Sequence, residues 1–588
     1  MGLINVITTQ LHPSTEQGDV VEVAAQTSQP ATRGKEIEEI NVDDAETIQK
    51  PDYRHDVEGG VARVEAVQAV WGKHGKYLII LGLAMMMIMY ELDNSTVYVY
   101  QTYATSSFNE LSLVSTLGTA GVIIFAVVKP PIAKLSNIIG RGETYIFTIS
   151  CYILSYILCA SAKSINAYAA GYVFYNIGQS GTNIMNDVII SDISSARWRG
   201  LAIGISFFPF LIMPWVSAFI VDSVVNGIGW QWGIGMMAIL MPFCASFIIA
   251  TLLYFQGKAK KAGIVVQQKM TVYEFCSQID LGGSILFCAG FAMLLLPLTL
   301  ASTTTARWRT PYLDALIAVG GVLLIILPFY EKFVAKYPLV PIHYFKNASI
   351  VTSCLLIATD SLGFACTHTY IYAWSTVTHN FSTRVATFYL YTNGVTQTLF
   401  GIMAGLFMLK TRRYKWLIMA TIVIRLIGYG VMIRLRGANN STAELFIVQL
   451  IQGIGSGIVQ TAVIVSAQVV VPHSQLAQMT ALVICFSFLG SSIGSSIAGG
   501  IYTNTFKNQL RAQLGSSVSE TVVNQVYNSI TGVLPAWDSP NRIAINYAYS
   551  NVMRFMTYTA LGCQIPSFLL VWFMPNLLLP EKNNLVEE

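Results

Sequence analysis

The stretch Tyr90-Glu91-Leu92-Asp93-Asn94-Ser95-Thr96-Val97-Tyr98 puts two carboxyls and several hydroxyls inside an apolar run. Ionisable groups are costly in lipid, so such residues default to functional roles. A carboxyl in a low-dielectric cavity is held neutral more readily than in water, which suits it to take up and release a proton near neutral pH. Residues two apart on a helix diverge by about 200°. Glu91 therefore shares a face with Asn94 and Tyr98, and Asp93 with Thr96, Val97 and Tyr100. At most one acid points squarely into a central cavity. Asp93, with Glu91 in reserve, is expected to be the proton-coupling group. The blander reading is a structural acid, paired to an Arg or capping a broken helix.

Asp360 is a further proton-coupling candidate, with His368, Tyr370, Tyr372 and Trp374 following it. Tyr370 and Tyr372 are expected to line the cavity; an interfacial belt is the alternative for such aromatics. Arg425 lies in another apolar run. It serves either as counter-charge to a membrane acid or as receptor for an anion, and is grouped with the gating residues. Asn176, Gln179, Asn183 and Asn186 recur at three-to-four spacing, which makes a polar stripe along one helix. Asn176, Gln179 and Asn183 are expected to line a cavity with Tyr98, and Asn186 and Asp187 to make gating contacts. Pro209 and Pro214 would bend the helix that carries them.

The elements that must position these groups are membrane helices. The chain of 588 residues is 54% hydrophobic and 11% charged, where soluble domains carry roughly a quarter charged residues. Fourteen apolar segments, from 77–99 to 552–574, are each long enough to cross a bilayer. The fold class is therefore an all-α membrane protein of 14 transmembrane helices, arranged six plus two plus six. Residues 1–70 read as a disordered cytoplasmic tail, 71–258 as a six-helix bundle and 259–345 as an inserted helix pair with its loops. Residues 346–580 form the second six-helix bundle, and 581–588 a short tail. The tail 1–70 holds 13 Asp/Glu against 5 Lys/Arg, which argues against a nucleic-acid arm. No apolar h-region follows Met1, so the first span is expected to act as the insertion signal.

Lys and Arg set the orientation. With the N-terminus inside, Lys129-Lys134-Arg141, Arg197-Arg199, Lys258-Lys260-Lys261, Lys332-Lys336 and Lys410 to Lys415 all fall in inner loops. The sequons at Asn380 and Asn440 then fall outside. The last outer loop, 503–550, is long enough to be functional. It carries a helical pattern from Val518 to Ile530 and then Trp537, Tyr547 and Tyr549, and reads as an ordered external lid closing over a ligand. No P-loop, H-E-x-x-H or serine-nucleophile elbow occurs, so neither ATP drive nor hydrolysis is expected. The seven histidines do not cluster at metal-ligand spacing, and the nine cysteines, most of them inside apolar runs, form no C-x-x-C pair. No cofactor is expected.

From about 76 to 580 the chain resembles the fourteen-span branch of the major facilitator superfamily. Leu92-Asp93 with Thr96 is similar to that branch's first-span signature. Ala133 to Arg141 is similar to its loop between spans two and three, with Asn137 where the family usually has Asp. That likeness makes Asn137, Gly140 and Arg141 gating candidates, with the loop's usual charge relay altered at Asn137. Within the branch the chain resembles the fungal siderophore–iron transporters, through Tyr103 to Phe108, Lys410 to Trp416, Tyr502 to Phe506 and Arg542 to Tyr549. The resemblance implies a monomeric symporter at the plasma membrane, or an endosomal or vacuolar one, importing ferric hydroxamate chelates with protons. The rivals are a proton antiporter exporting drugs, toxins or glutathione conjugates, and a non-transporting nutrient sensor.

Overall fold

A computed structural model describes residues 59–193, 208–261, 271–278, 280–300, 310–336, 342–471, 476–515, 519–530 and 534–579. Among them no strand occurs. Inside a bilayer every backbone N–H and C=O must be paired within the chain, and a helix does this locally. Among the described residues, fourteen helices have 18 residues or more. They are α1 (Gly59–Ser107), α2 (Val114–Ile139), α3 (Arg141–Ala160), α4 (Ile165–Ile193), α5 (Pro209–Asn226), α6 (Met237–Lys261), α7 (Leu281–Leu300), α8 (Pro311–Phe333), α9 (Ala348–His368), α10 (Thr383–Thr411), α11 (Lys415–Leu435), α12 (Thr442–Gln468), α13 (Leu476–Leu514) and α14 (Pro540–Phe573). Among the described residues, eleven segments are long and apolar enough to cross a membrane, and Leu281–Pro297 is a shorter apolar helix. The polar stripe keeps α4 outside that group.

Helices α1 to α6 pack among themselves, as do α9 to α14. The two groups meet along α2 with α13 and α5 with α10. The pair α7–α8 leans on that first seam, where Phe287 and Leu295 join Ile123, Val127 and Leu489 in one apolar cluster. Glycine spacing sets two of the tightest crossings. A Cβ on Gly457 of α12 would collide with the Gln397 carbonyl of α10, and one on Gly490 of α13 with the Ala358 carbonyl of α9. Gly453 and Gly494 lie four residues from these, and small residues at that spacing let membrane helices approach closely.

Helix ends carry local signals. Ser441 and Glu444 form a capping box at the start of α12. Ser539 caps α14, with Pro540 as its first residue. Asn347 caps α9. Helix α9 breaks at Thr369 and Tyr370 and continues as Ile371–His379.

Several expected boundaries shift. Helix α1 begins at Gly59, inside the stretch expected to be disordered over 1–70; the Ala-, Val- and Glu-containing run 61–70 extends a helix already nucleated by the apolar segment. Residues 1–58 and 580–588 lie outside the described residues. The expected loop 503–550 is also shorter, because α13 runs to Leu514 and α14 starts at Pro540. A helix of nine residues, Glu520–Asn528, lies between them. We call that end of the molecule the lid end. The opposite end, with Arg412 and Lys415 at the α10–α11 turn, is the basic end.

Candidate functional site

Asp93 and Glu91 lie in different surroundings, as two residues apart on one helix must. Asp93 is fully buried inside the first bundle. It accepts hydrogen bonds from Tyr156 of α3 at 2.6 Å and Tyr175 of α4 at 3.0 Å. The Tyr152 ring stacks on Tyr156 and meets Tyr175 edge-on, which completes a phenol cage. Glu91 is also buried, with Asn94 beside it, and its Oε2 has no hydrogen-bond partner. An orphaned carboxylate oxygen out of water is costly, roughly 1–3 kcal/mol or more, and taking up a proton relieves it.

A chain of hydrogen bonds joins Asp93 to Asn94, the neighbour of Glu91. The Asn94 oxygen accepts from Gln179 Nε2 at 3.2 Å, and the same nitrogen donates to the Tyr175 hydroxyl at 3.4 Å. Tyr175 then donates to Asp93. From the second bundle, the Tyr391 hydroxyl of α10 donates to the Asn94 carbonyl at 3.3 Å. Tyr98, on the Glu91 face, lies near Tyr172 of α4 and Tyr391 and is still 37% exposed, so it borders a space between the bundles. A part-exposed amide pair, Gln397 and Gln460 at 2.6 Å, belongs to the second bundle.

Each amide of the expected stripe has its own partner. Asn176 donates to its own helix at the Tyr172 carbonyl, Gln179 reaches Asn94, and Asn183 accepts from Lys129 Nζ at 2.7 Å. Asn186 faces α3, where the Tyr145 hydroxyl donates to it.

Asp360 and Arg425 come together. Asp360 Oδ1 lies 2.7 Å from Arg425 Nε, with the side chains 0% and 1% exposed. The contact lacks the alignment of a full hydrogen bond. Ser456 donates to Asp360 Oδ2 at 2.9 Å, and Arg425 donates to the Gln452 side chain at 2.7 Å and the Tyr429 hydroxyl at 3.0 Å. Of the two uses open to Arg425, the structure has it as counter-charge, binding α9 to α11 and α12. His368 is fixed between the Phe364 carbonyl and Gln449.

The lid end is sealed. Tyr370 and Tyr372, expected to line the cavity, are buried in that seal. Tyr370 donates to the Ser112 carbonyl at 3.1 Å and stacks on Tyr502, while Tyr372 donates to Tyr103, which bonds Thr383 at 2.9 Å. Asp222 of α5 pairs with Arg384 of α10 at 2.8 Å. Ser106, at the end of α1, bonds Ser529 at 2.8 Å and accepts from the Ile530 N–H at 2.7 Å. The bridges between the bundles named here, together with Thr119–Ser496 and Phe125–Phe488, lie between the lid end and Lys129.

Trp537, Tyr547 and Tyr549 do not share the expected ligand-facing surface. Residues from Pro540 onward are helical, so Tyr547 and Tyr549 face opposite ways. Tyr549 is buried against Phe506, with ring centroids 4.4 Å apart. Tyr547 is exposed and accepts from Asn439 at 2.6 Å. Trp537, 45% exposed, lies beneath the Arg542 guanidinium. The helical pattern within that loop is present as the helix Glu520–Asn528, which buries Val523, Val526 and Tyr527.

At the basic end Gly140 joins α2 to α3 with φ +122°, a conformation that favours glycine. Arg141 donates to Ser136 at 2.6 Å, and Gln256 of α6 donates to Glu143 at 2.6 Å. The Asn137 side chain lies outside what the structure describes. Tyr156, Tyr175, Tyr391, Ser456 and Lys129 were not singled out from sequence as site residues. The three-to-four spacing of Tyr168, Tyr172 and Tyr175 was a usable signal for part of this group. Among the described residues no group of three or more His, Cys, Asp or Glu could hold a metal ion.

Comparison with known proteins adds to this geometry. Residues 81–382 match the family model described as Major Facilitator Superfamily. The chain belongs to that superfamily. It is 29% identical over 563 residues to Siderophore iron transporter 1 of Schizosaccharomyces pombe, across 95% of this chain and 92% of that protein. It is 31% identical over 453 residues to Low affinity heme transporter str3 of the same organism, across 74% of this chain and 72% of that protein. Within the superfamily it groups with the fungal siderophore transporters, one of which, from Zymoseptoria tritici, is 30% identical over 460 residues, across 74% of this chain and 71% of that protein, and it is a transporter rather than an enzyme. A bacterial homologue of the human lysosomal transporter Spinster, solved inward-facing and unoccupied, superimposes with TM-score 0.58 at 13% identity, covering 86% of this chain and 98% of that one. At that identity it speaks for the fold alone.

Proposed function

We propose that this major facilitator is a proton-coupled symporter that imports ferric siderophores of the hydroxamate type across the plasma membrane. The observation that carries the coupling is Glu91, a buried carboxyl with one orphaned oxygen, beside a space bordered by phenols and amides. Glu91 is the group that binds and releases the proton. Asp93, fully satisfied by phenols, is a positioning residue that fixes α1 against α3 and α4. This ordering reverses the one expected from the sequence, because Asp93 has no open side.

The names of the relatives support a siderophore as cargo. A trihydroxamate ferric chelate is bulky and coordinatively complete, so it needs hydroxyl and amide contacts rather than metal ligands. The basic end is cytoplasmic by the positive-inside rule, and both termini with it. The lid end is then outside, and the sealed lid end makes this an inward-facing state. Opening requires release of Tyr103, Tyr370, Tyr372, Ser106 and the Asp222–Arg384 pair, with the bundles rocking about the Glu91 region. Both bundles that would rock about the site belong to one chain, which supports reading the working unit as a monomer.

The test is uptake of radio-iron on several chelators by cells lacking siderophore carriers. We expect accumulation of at least one ferric hydroxamate. No accumulation of any chelate contradicts the proposed cargo.

A further inference from the structure

In sequence Lys129 reads as a loop cation, since it ends an apolar run and precedes Pro130 and Pro131. The helix does not end there. Helix α2 continues to Ile139, and Lys129 closes the membrane-crossing segment Leu111–Lys129. An ammonium at such a position needs partners. Its Nζ donates to Asn183 at 2.7 Å and lies over the rings of Phe125 at 4.4 Å and Phe488 at 5.3 Å. Phe488 belongs to α13 in the opposite bundle, so the ammonium lies at the seam between bundles.

An ammonium carries three N–H donors. Asn183 takes one. The rings attract the charge but are weak acceptors. Among the described residues Lys129 makes no ion pair. Asp187, one turn beyond Asn183, acts on it electrostatically. The side chain is only partly buried. Asn183 also belongs to the amide stripe whose Gln179 donates to Asn94, the neighbour of Glu91. Lys129 is thus a cation with unused donors on the wall that carries the proton site, about one turn nearer the basic end along α4.

We propose that Lys129 is an anion subsite of the transport cavity, which takes a carboxylate or similarly ionised oxygen carried on the rim of the ligand. This rests on the reading that the cavity carries a ferric chelate, and it adds that chelates bearing an anionic arm are favoured over neutral ones. Asn183 holds the ammonium in place, and Phe125 and Phe488 flank the apolar part of the same arm.

The test uses two ferric trihydroxamates identical except that one bears a pendant carboxylate and the other its methyl ester. Uptake kcat/KM is measured for both in the full-length protein, with cell-surface amount quantified. The wild type is expected to favour the carboxylate form. Lys129→Gln should lower that preference about ten-fold or more, the scale of a hydrogen bond between charged groups, and Lys129→Arg should retain it. A wild-type preference near one overturns the subsite without any variant. An unchanged preference in Lys129→Gln overturns it too, whatever happens to the overall rate, and leaves Lys129 a packing residue of the seam. If the wild type takes up neither chelate, the cargo reading itself falls and the subsite falls with it.

Discussion

Glu91 and Asp93 divide the work that one acid might have been given. Asp93 has two phenol donors to lose, while Glu91 Oε2 has none. Asp93→Asn should therefore lower the thermal stability of the purified protein more than Glu91→Gln does, at about 1 kcal/mol per lost hydrogen bond. Glu91→Gln should instead abolish concentrative uptake while leaving exchange of chelate across the membrane intact. Equal loss of exchange and accumulation in Glu91→Gln speaks against its coupling role. Asp360 and Arg425 obey a different rule. Removing one partner of a buried pair costs about 3–5 kcal/mol, whereas replacing both by apolar residues is often neutral. Asp360→Leu should lower the melting temperature sharply, and adding Arg425→Met should recover much of it. A double variant no better than the single one excludes a pair that acts through its charges. Both acids and Arg425 were visible in sequence as costly groups in apolar runs. Their partners were not, because pairing depends on which helices pack together. Lys129 was read as an inner-loop cation, whereas α2 continues past it to Ile139.

At the scale of elements, apolar length and loop charge made the helices legible, and three-to-four spacing made the α4 stripe legible. Helix rotation was not. Tyr370 and Tyr372 follow Asp360 in sequence, yet the break at Thr369 and Tyr370 turns them into the seal. The lid's helix was visible from Val518 to Ile530, whereas the start of α14 at Pro540 separated Tyr547 from Tyr549. The lid is pinned to α1 by the Ser106–Ser529 contact. Two side-chain oxygens 2.8 Å apart are close enough for sulfurs in their place to bridge. Ser106→Cys with Ser529→Cys should stop uptake under oxidation and recover it on reduction. Full uptake by the cross-linked protein shows that the lid need not leave α1. The glycine crossings make a separate prediction. Gly457→Leu or Gly490→Leu should cost at least about 1–3 kcal/mol of overpacking, seen as loss of folded protein in the membrane.

The whole molecule joins two helix bundles that are bridged at the lid end and along the seams as far as Lys129. Such a body can alternate only if some group near the pivot changes state when the ligand and its driving ion bind. Glu91 lies beside the inter-bundle contact of Tyr391 with Asn94, so its protonation can bias both bundles at once. One proton moved with a neutral chelate harnesses about 2.3 kcal/mol per 100 mV of membrane potential. At about 1.4 kcal/mol per ten-fold, that sustains roughly forty-fold accumulation. The most direct test is reconstitution into proteoliposomes, with radio-iron carried on a neutral ferric trihydroxamate and an imposed inward proton gradient. Concentrative uptake that tracks the gradient, collapses with a protonophore and disappears in Glu91→Gln is the predicted result. Uptake that merely equilibrates, or accumulation indifferent to the protonophore, contradicts proton-driven import.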